Sequence, residues 1–141
     1  MARKVITANN LSYQYEPNIF HIFVRVVVGA SGAVDAAYGG GVLSVVKEST
    51  AGQYTITLQD RFQRLLNVTA VNVDNAVSAW ASCSVLEDGA VVNSEFAADG
   101  AFKIQLQDYA GLAVNATNSA ELRLMITVGQ GPSPYDTNDI G

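Results

Sequence analysis

The sequence predicts an all-β fold: an antiparallel β-sandwich or jelly-roll-like domain over 13–129, with an extended N-terminal arm (1–12) and an extended C-terminal tail (130–141). Three observations carry this reading. First, one motif is written twice: Gly52-Gln53-Tyr54-Thr55-Ile56-Thr57-Leu58-Gln59-Asp60 returns as Gly100-Ala101-Phe102-Lys103-Ile104-Gln105-Leu106-Gln107-Asp108, and a further glycine, Gly41 or Gly89, precedes each copy by 11 residues. A glycine, a strand-like run, a turn, a second glycine and an alternating strand make up a β-hairpin frame. Second, apolar and polar residues alternate within the motif. Tyr54, Ile56 and Leu58 share one face and Thr55, Thr57 and Gln59 the other, as in a half-buried antiparallel strand. Third, short strand-like runs recur about every ten residues between turn signals, with no long helical periodicity.

In chain order, Ile19 to Val28 is a β-branched and aromatic run that ends at Gly29. Ser31 to Gly41 is small and glycine-rich, a mobile loop or one that a partner orders. Val42 to Lys47 and Gly52 to Leu58 form the first hairpin. Asp60 to Leu66 can make one helical turn with Asp60 as its N-cap. Asn67 to Val73 follows as a strand whose inward face is ambiguous, because Val68 and Ala70 have one parity and Val71 and Val73 the other. After a turn at Asp74-Asn75, Ala76 to Leu86 reads as a strand carrying Trp80 as a core or subunit-contact anchor. Glu87-Asp88-Gly89 is a turn, and Ala90 to Asn93 with Gly100 to Gln107 makes the second hairpin. Two facing sheets would each contribute one such hairpin. Tyr109 to Asn118 is a loop, and Ala120 to Val128 is the last strand, with Leu122, Leu124, Ile126 and Val128 on one face.

Composition narrows function by exclusion. At 141 residues the chain can bury roughly two thirds of its unfolded surface without disulfides or metal. Charged residues make up 15%, against about 25% in an average protein. The polar surface therefore falls to Thr, Ser, Asn and Gln, which suits a protein docked in an assembly better than one kept apart by charge. The net charge of −5, with no basic cluster beyond Arg3-Lys4 and Arg61/Arg64, argues against nucleic acid. The N-terminus lacks the apolar core of a signal peptide, and no run reaches the ~20 apolar residues of a membrane span. The single cysteine, Cys83, excludes an internal disulfide and reads as a buried free thiol in a reducing compartment, with the chain soluble and made in the cytoplasm.

Chemistry is hard to assemble from these residues. His21 is the one histidine, which excludes multi-histidine metal sites and strains any Ser-His-Asp or Cys-His arrangement. It alternates with Phe20 and Ile22 and reads as a solvated or hydrogen-bonded strand histidine. Asp60 and Asp108, equivalent in the two copies, read as turn formers rather than paired carboxylates. Gly39-Gly40-Gly41 opens a strand, not a helix, and so cradles no phosphate. Asp136 and Asp139 lack the ligand spacing of a calcium loop. The reading is of a non-enzyme with no catalytic, cofactor-binding or metal site.

The segment Gly52-x-Tyr54-x-Ile56-x-Leu58-x-Asp60-x-Phe62-x-x-Leu65-Leu66-x-Val68 resembles a signature of small structural proteins of tailed bacteriophages, in which a glycine–tyrosine strand runs into an acidic turn, an aromatic and a Leu-Leu pair. The resemblance is to head decoration, or cement, proteins and covers roughly residues 40 to 128. Arg61 and Gln63 around the aromatic depart from the pattern, which has smaller residues or proline there. The resemblance implies a protein of the capsid exterior, made in the bacterial cytoplasm, that clamps neighbouring major capsid subunits and stabilises the head. It implies the major capsid protein and further copies of itself as partners, in trimers or dimers; a dimer is favoured here because the exposed edges of a small sandwich can pair across a twofold, and composition gives neither nucleic acid nor membrane as a partner. On this reading Arg3, Lys4 and Val5 of the arm and Pro132, Pro134 and Tyr135 of the tail are capsid contacts. The repeated hairpin residues Gly52, Tyr54, Ile56, Leu58, Asp60, Gly100, Phe102, Ile104, Leu106 and Asp108 are structural. A tail or head-fibre module, or a carbohydrate-binding β-sandwich, are the alternative readings.

Overall fold

A computed structural model of the chain describes residues 19–62, 64–74, 80–86 and 100–129. They form eight strands: β1 (Ile19–Val28), β2 (Val34–Tyr38), β3 (Val42–Lys47), β4 (Gln53–Leu58), β5 (Arg64–Val73), β6 (Ser82–Leu86), β7 (Ala101–Gln107) and β8 (Glu121–Gly129). A short 3-10 turn, Ala30–Gly32, joins β1 to β2. The strands build two antiparallel four-stranded sheets, β2-β1-β8-β5 and β3-β4-β7-β6, packed as a sandwich. The expected all-β sandwich is what the chain adopts.

One core fills the space between the sheets. The first sheet contributes Val24, Val26 and Val28 from β1, Leu65 from β5, and Leu122, Leu124, Ile126 and Val128 from β8. The second contributes Tyr54, Ile56 and Leu58 from β4 and Phe102, Ile104 and Leu106 from β7, with Trp80 beside them. Each set occupies alternate positions of its strand, as the two-residue period of a strand requires. The expected register of β4 and β8 is the observed one.

The repeated motif lies otherwise than expected. Its copies do not sit in facing sheets; β4 and β7 are neighbours in one sheet, with Tyr54 opposite Ile104 and Ile56 opposite Phe102. Thr55 faces Lys103, its own counterpart in the repeat, so a local twofold axis passes through that pair. The axis relates hydrogen bonds as well: Leu106 N–H donates to the Gly52 carbonyl (2.9 Å), and Leu58 N–H donates to the Gly100 carbonyl (2.8 Å). Both glycines are left-handed, at φ +70° and +67°, where a side chain is strained. Two antiparallel copies of a half-apolar strand satisfy each other's backbone and bury one continuous apolar face, which a split between sheets would not allow.

Other expectations change too. The segment expected to form a helical turn is extended: Arg61 and Phe62 are irregular and β5 begins at Arg64, because Leu65 fills the core as a strand residue opposite Val128. Five residues of the expected loop 31–41 form β2, whose backbone pairs with β1. Trp80 and Ala81 precede β6 rather than lying within a strand, and Trp80 packs into the core. Both edges of β7 are taken, by β4 and β6, so the second copy pairs with these two strands. The expected strand Ala90 to Asn93 falls outside the described residues, as do the arm (1–12) and the tail (130–141).

Candidate functional site

The outer faces of the two sheets differ in chemistry. On the β3-β4-β7-β6 sheet the outward positions include Gln53, Thr55 and Thr57 on β4, Gln105 and Gln107 on β7, and Ser82 and Ser84 on β6, with Lys103 as the cation among them and the exposed Val46 of β3 opposite Thr55. They bond to one another: Gln53 Nε2 donates to Gln105 Oε1 (2.9 Å), and Ser84 Oγ to Gln107 Oε1 (3.0 Å). This face is uncharged for the most part and largely satisfied within itself.

The outer face of the β2-β1-β8-β5 sheet carries an apolar groove. Register aligns Phe23, Met125 and Thr69 in one row and Tyr38, Arg25, Arg123 and Val71 in the next. Val73 lies opposite Glu121 in the row beyond. Together they line an open groove of about 550 Å³. Phe23, Tyr38 and Val71 are 66%, 55% and 54% exposed, apolar groups around the groove with Arg25 and Arg123 between Tyr38 and Val71.

Local sequence explains the groove. β1 and β5 are apolar at both parities, so whichever side packs the core, apolar groups remain outside. The ambiguity in β5 resolves with Val68 and Ala70 inward, opposite Ile126 and Leu124, and Val71 and Val73 outward. The missing alternation in Ile19 to Val28 was the sequence signal for this surface.

Three charges cross the groove. Arg25 and Arg123 stand directly opposite each other on β1 and β8, a repulsive pairing. Glu121 lies between them, 3.9 Å from Arg25 and 3.2 Å from Arg123. The Arg25 guanidinium also sits 4.5 Å from the centre of the Tyr38 ring, a cation–π contact. With both arginines exposed and Glu121 half-buried, these pairs orient side chains more than they stabilise the fold. They leave an apolar trough with one surplus positive charge and directed N–H donors, suited to an apolar group that carries an acceptor.

A second recess of about 440 Å³ lies beside Phe20, His21, Gly41, Asp60 and Phe62. Phe20 and Phe62 pack beside it with their rings tilted by 45° and ring centres 5.7 Å apart. His21 Nδ1 is 3.1 Å from Thr127 Oγ1 on the outer face, a hydrogen-bonded strand histidine.

The remaining candidate groups are structural. Asp108 Oδ1 accepts from the amides of Ala110 (2.8 Å) and Leu112 (3.0 Å), fixing the loop after β7. Asp60 follows β4 at the other end of the pair, so on the order of 30 Å separates the two carboxylates at about 3.3 Å per residue. They cannot share a proton. Tyr54 donates its hydroxyl to the Gly32 carbonyl (2.6 Å), and burial pushes its pKa up to about 12. Burial likewise pushes Cys83 up to about 11, leaving a protonated thiol that faces the core opposite Leu106. Among the described residues no group of three His, Cys, Asp or Glu could hold a metal ion, and no helix is long and apolar enough to cross a membrane.

Gly52, Tyr54, Ile56, Leu58, Gly100, Phe102, Ile104 and Leu106 come together as the buried centre of one sheet. Arg3, Lys4, Val5, Pro132, Pro134 and Tyr135 lie outside the described residues. The groove residues Phe23, Arg25, Tyr38, Val71 and Met125 were not singled out from the sequence, because only register places them on one face. No protein-family model, curated protein or solved structure matches the chain.

Proposed function

We propose that the chain is a non-enzymatic bacteriophage capsid decoration protein, which binds the outside of the assembled head and bridges neighbouring major capsid subunits. The observation that carries this reading is the pair of outer faces, one with an apolar groove crossed by Arg25 and Arg123, the other rich in Thr, Ser and Gln. Surfaces of this kind act by docking. The resemblance of the Gly52 to Val68 segment supplies the identity of the assembly, and its hairpin residues form the stiff centre of a sheet.

Such a protein works by mass action. A module that binds the assembled shell and not its separated subunits stabilises the shell by its binding free energy, repeated over many copies. The partners on this reading are the major capsid protein and other copies of the chain, on the virion exterior, with no cofactor, nucleic acid or membrane. Arg25 and Arg123 are cross-strand neighbours that share Glu121, a local pair rather than a stripe for tracking phosphates.

The test is the copy number of the chain in purified virions, by gel densitometry against the major capsid protein. A number comparable to the capsid protein supports the decoration role. A handful of copies makes it a tail or head-fibre module instead. Complete absence rejects the virion reading and favours a carbohydrate-binding sandwich, for which the exposed Phe23 and Tyr38 rings beside the groove would be the platform.

A further inference from the structure

We propose that the outer edge of β5 is a twofold interface, at which two copies of this chain pair their β5 strands antiparallel and join two four-stranded sheets into one of eight strands. The strands at the sheet edges are β2 and β5 in one sheet and β3 and β6 in the other. An edge presents backbone donors and acceptors to any passing strand, and folded proteins blunt this with short strands, bulges, charges or proline. β2 has five residues, a register shift against β1, and Asp35. β3 has six, a register shift near Val42, and Lys47. β6 has five.

β5 carries no such device where it is regular. It runs for ten residues, and its irregularity lies at the Leu65 end. From Asn67 to Val73 it pairs with β8 residue by residue, and its sequence, Asn67-Val68-Thr69-Ala70-Val71-Asn72-Val73, has no charge, proline or glycine. Among the described residues no strand pairs with its other edge.

The occupant that fits is a second copy. Antiparallel pairing of a strand with itself across a twofold axis is self-complementary. With the axis at Val71, that residue meets the partner's Val71, and Thr69 meets the partner's Val73. These outward pairs are all β-branched, oppose no like charges and suit a pleated surface. Val71 and Val73 also line the apolar groove, so the same contact covers one wall of it and makes the two grooves continuous. This interface goes beyond the decoration reading and does not depend on it. A monomeric chain would overturn the interface and leave virion attachment standing, and absence from virions would do the reverse.

Sedimentation velocity on the full-length chain tests it. The wild type is expected at twice the 14.9 kDa chain mass. Val71→Lys, at a half-exposed position, is expected to weaken association at least tenfold while the circular dichroism and cooperative melting stay unchanged. Leu43→Lys on β3 and Tyr38→Ser on the far edge strand β2 are expected to leave the dimer intact. In a Cys83→Ser background, Val71→Cys is expected to form a disulfide-linked dimer on mild oxidation, and Leu43→Cys is not. A monomeric or trimeric wild type would overturn the proposal. So would a dimer indifferent to Val71→Lys, one dissolved by Tyr38→Ser (stacking of outer faces), or failure of Val71→Cys to cross-link.

Discussion

Gly52 and Gly100 occupy equivalent places in the repeat, adopt nearly the same left-handed φ, and accept equivalent hydrogen bonds, yet their replacement by alanine should cost very different amounts. At Gly100 the nearest atoms to an added Cβ are 3.8 Å away, so the methyl group finds room. The cost is then the left-handed backbone alone, about 1 kcal/mol after the gain from a stiffer unfolded chain. At Gly52 the same Cβ would lie 2.3 Å from the Val114 carbonyl oxygen and 2.9 Å from that of Leu106. Both obstacles are backbone, and neither can rotate away as a side chain would. Relief requires the segment around Val114 to retreat. That weakens the Gly52 N–H bond to Asn115 Oδ1 (2.8 Å) and the Val114 N–H bond to Leu106 O (3.1 Å). At about 1 kcal/mol for each bond, with packing loss in addition, Gly52→Ala should cost roughly 3–4 kcal/mol. Urea and thermal unfolding followed by the fluorescence of Trp80, the single tryptophan and 7% exposed, measure both variants. Gly52→Ala should melt roughly 6–10 °C below Gly100→Ala. Equal destabilisation, or a larger cost at Gly100, would refute the argument that the loop after β7 presses on the first copy of the repeat.

Tyr54 should give the fold an alkaline limit. Its folded pKa of about 12 lies above the model-phenol value of 10.0, so stability is fully present below pH 10 and falls as pH rises toward 12. The loss is on the order of 2 kcal/mol, at about 1.4 kcal/mol per pH unit. Tyr54→Phe should flatten this part of the pH–stability curve and cost about 1 kcal/mol at neutral pH, since the Gly32 carbonyl loses its 2.6 Å donor. A wild-type curve flat to pH 12 would remove burial as the cause. Cys83 should react with iodoacetamide at pH 8 at about a thousandth of the fully ionised rate in the native protein and far faster in urea; equal rates would mean that the thiol is open to solvent. Ile56→Asp should abolish folding, because it places a carboxylate at a position 0% exposed between the sheets; a soluble, cooperatively melting variant would contradict the β4 register. Deleting 1–12 or 130–141 should leave the melting transition in place and weaken capsid attachment; unchanged attachment by both would reject the arm and tail as contacts.

Strand class, the register of β4 and β8, and the buried positions they hold follow from local pattern alone. The two-residue period sorts Tyr54, Ile56, Leu58, Leu122, Leu124, Ile126 and Val128 onto single faces whatever else the chain does. Local pattern also sufficed for the role of Asp108, whose bonds reach only two and four residues along the chain. Which strands pair was decided by tertiary structure. The repeat could have been split between sheets, and its copies lie side by side because each supplies the other's backbone partners and extends its apolar face. Arg61 to Leu66 had a helical option that lost once Leu65 could reach the core from an extended backbone. The groove was hidden for the same reason. Phe23, Tyr38, Val71 and Met125 come from four separate strands, and their shared face follows from cross-strand register, which depends on contacts between residues distant in sequence.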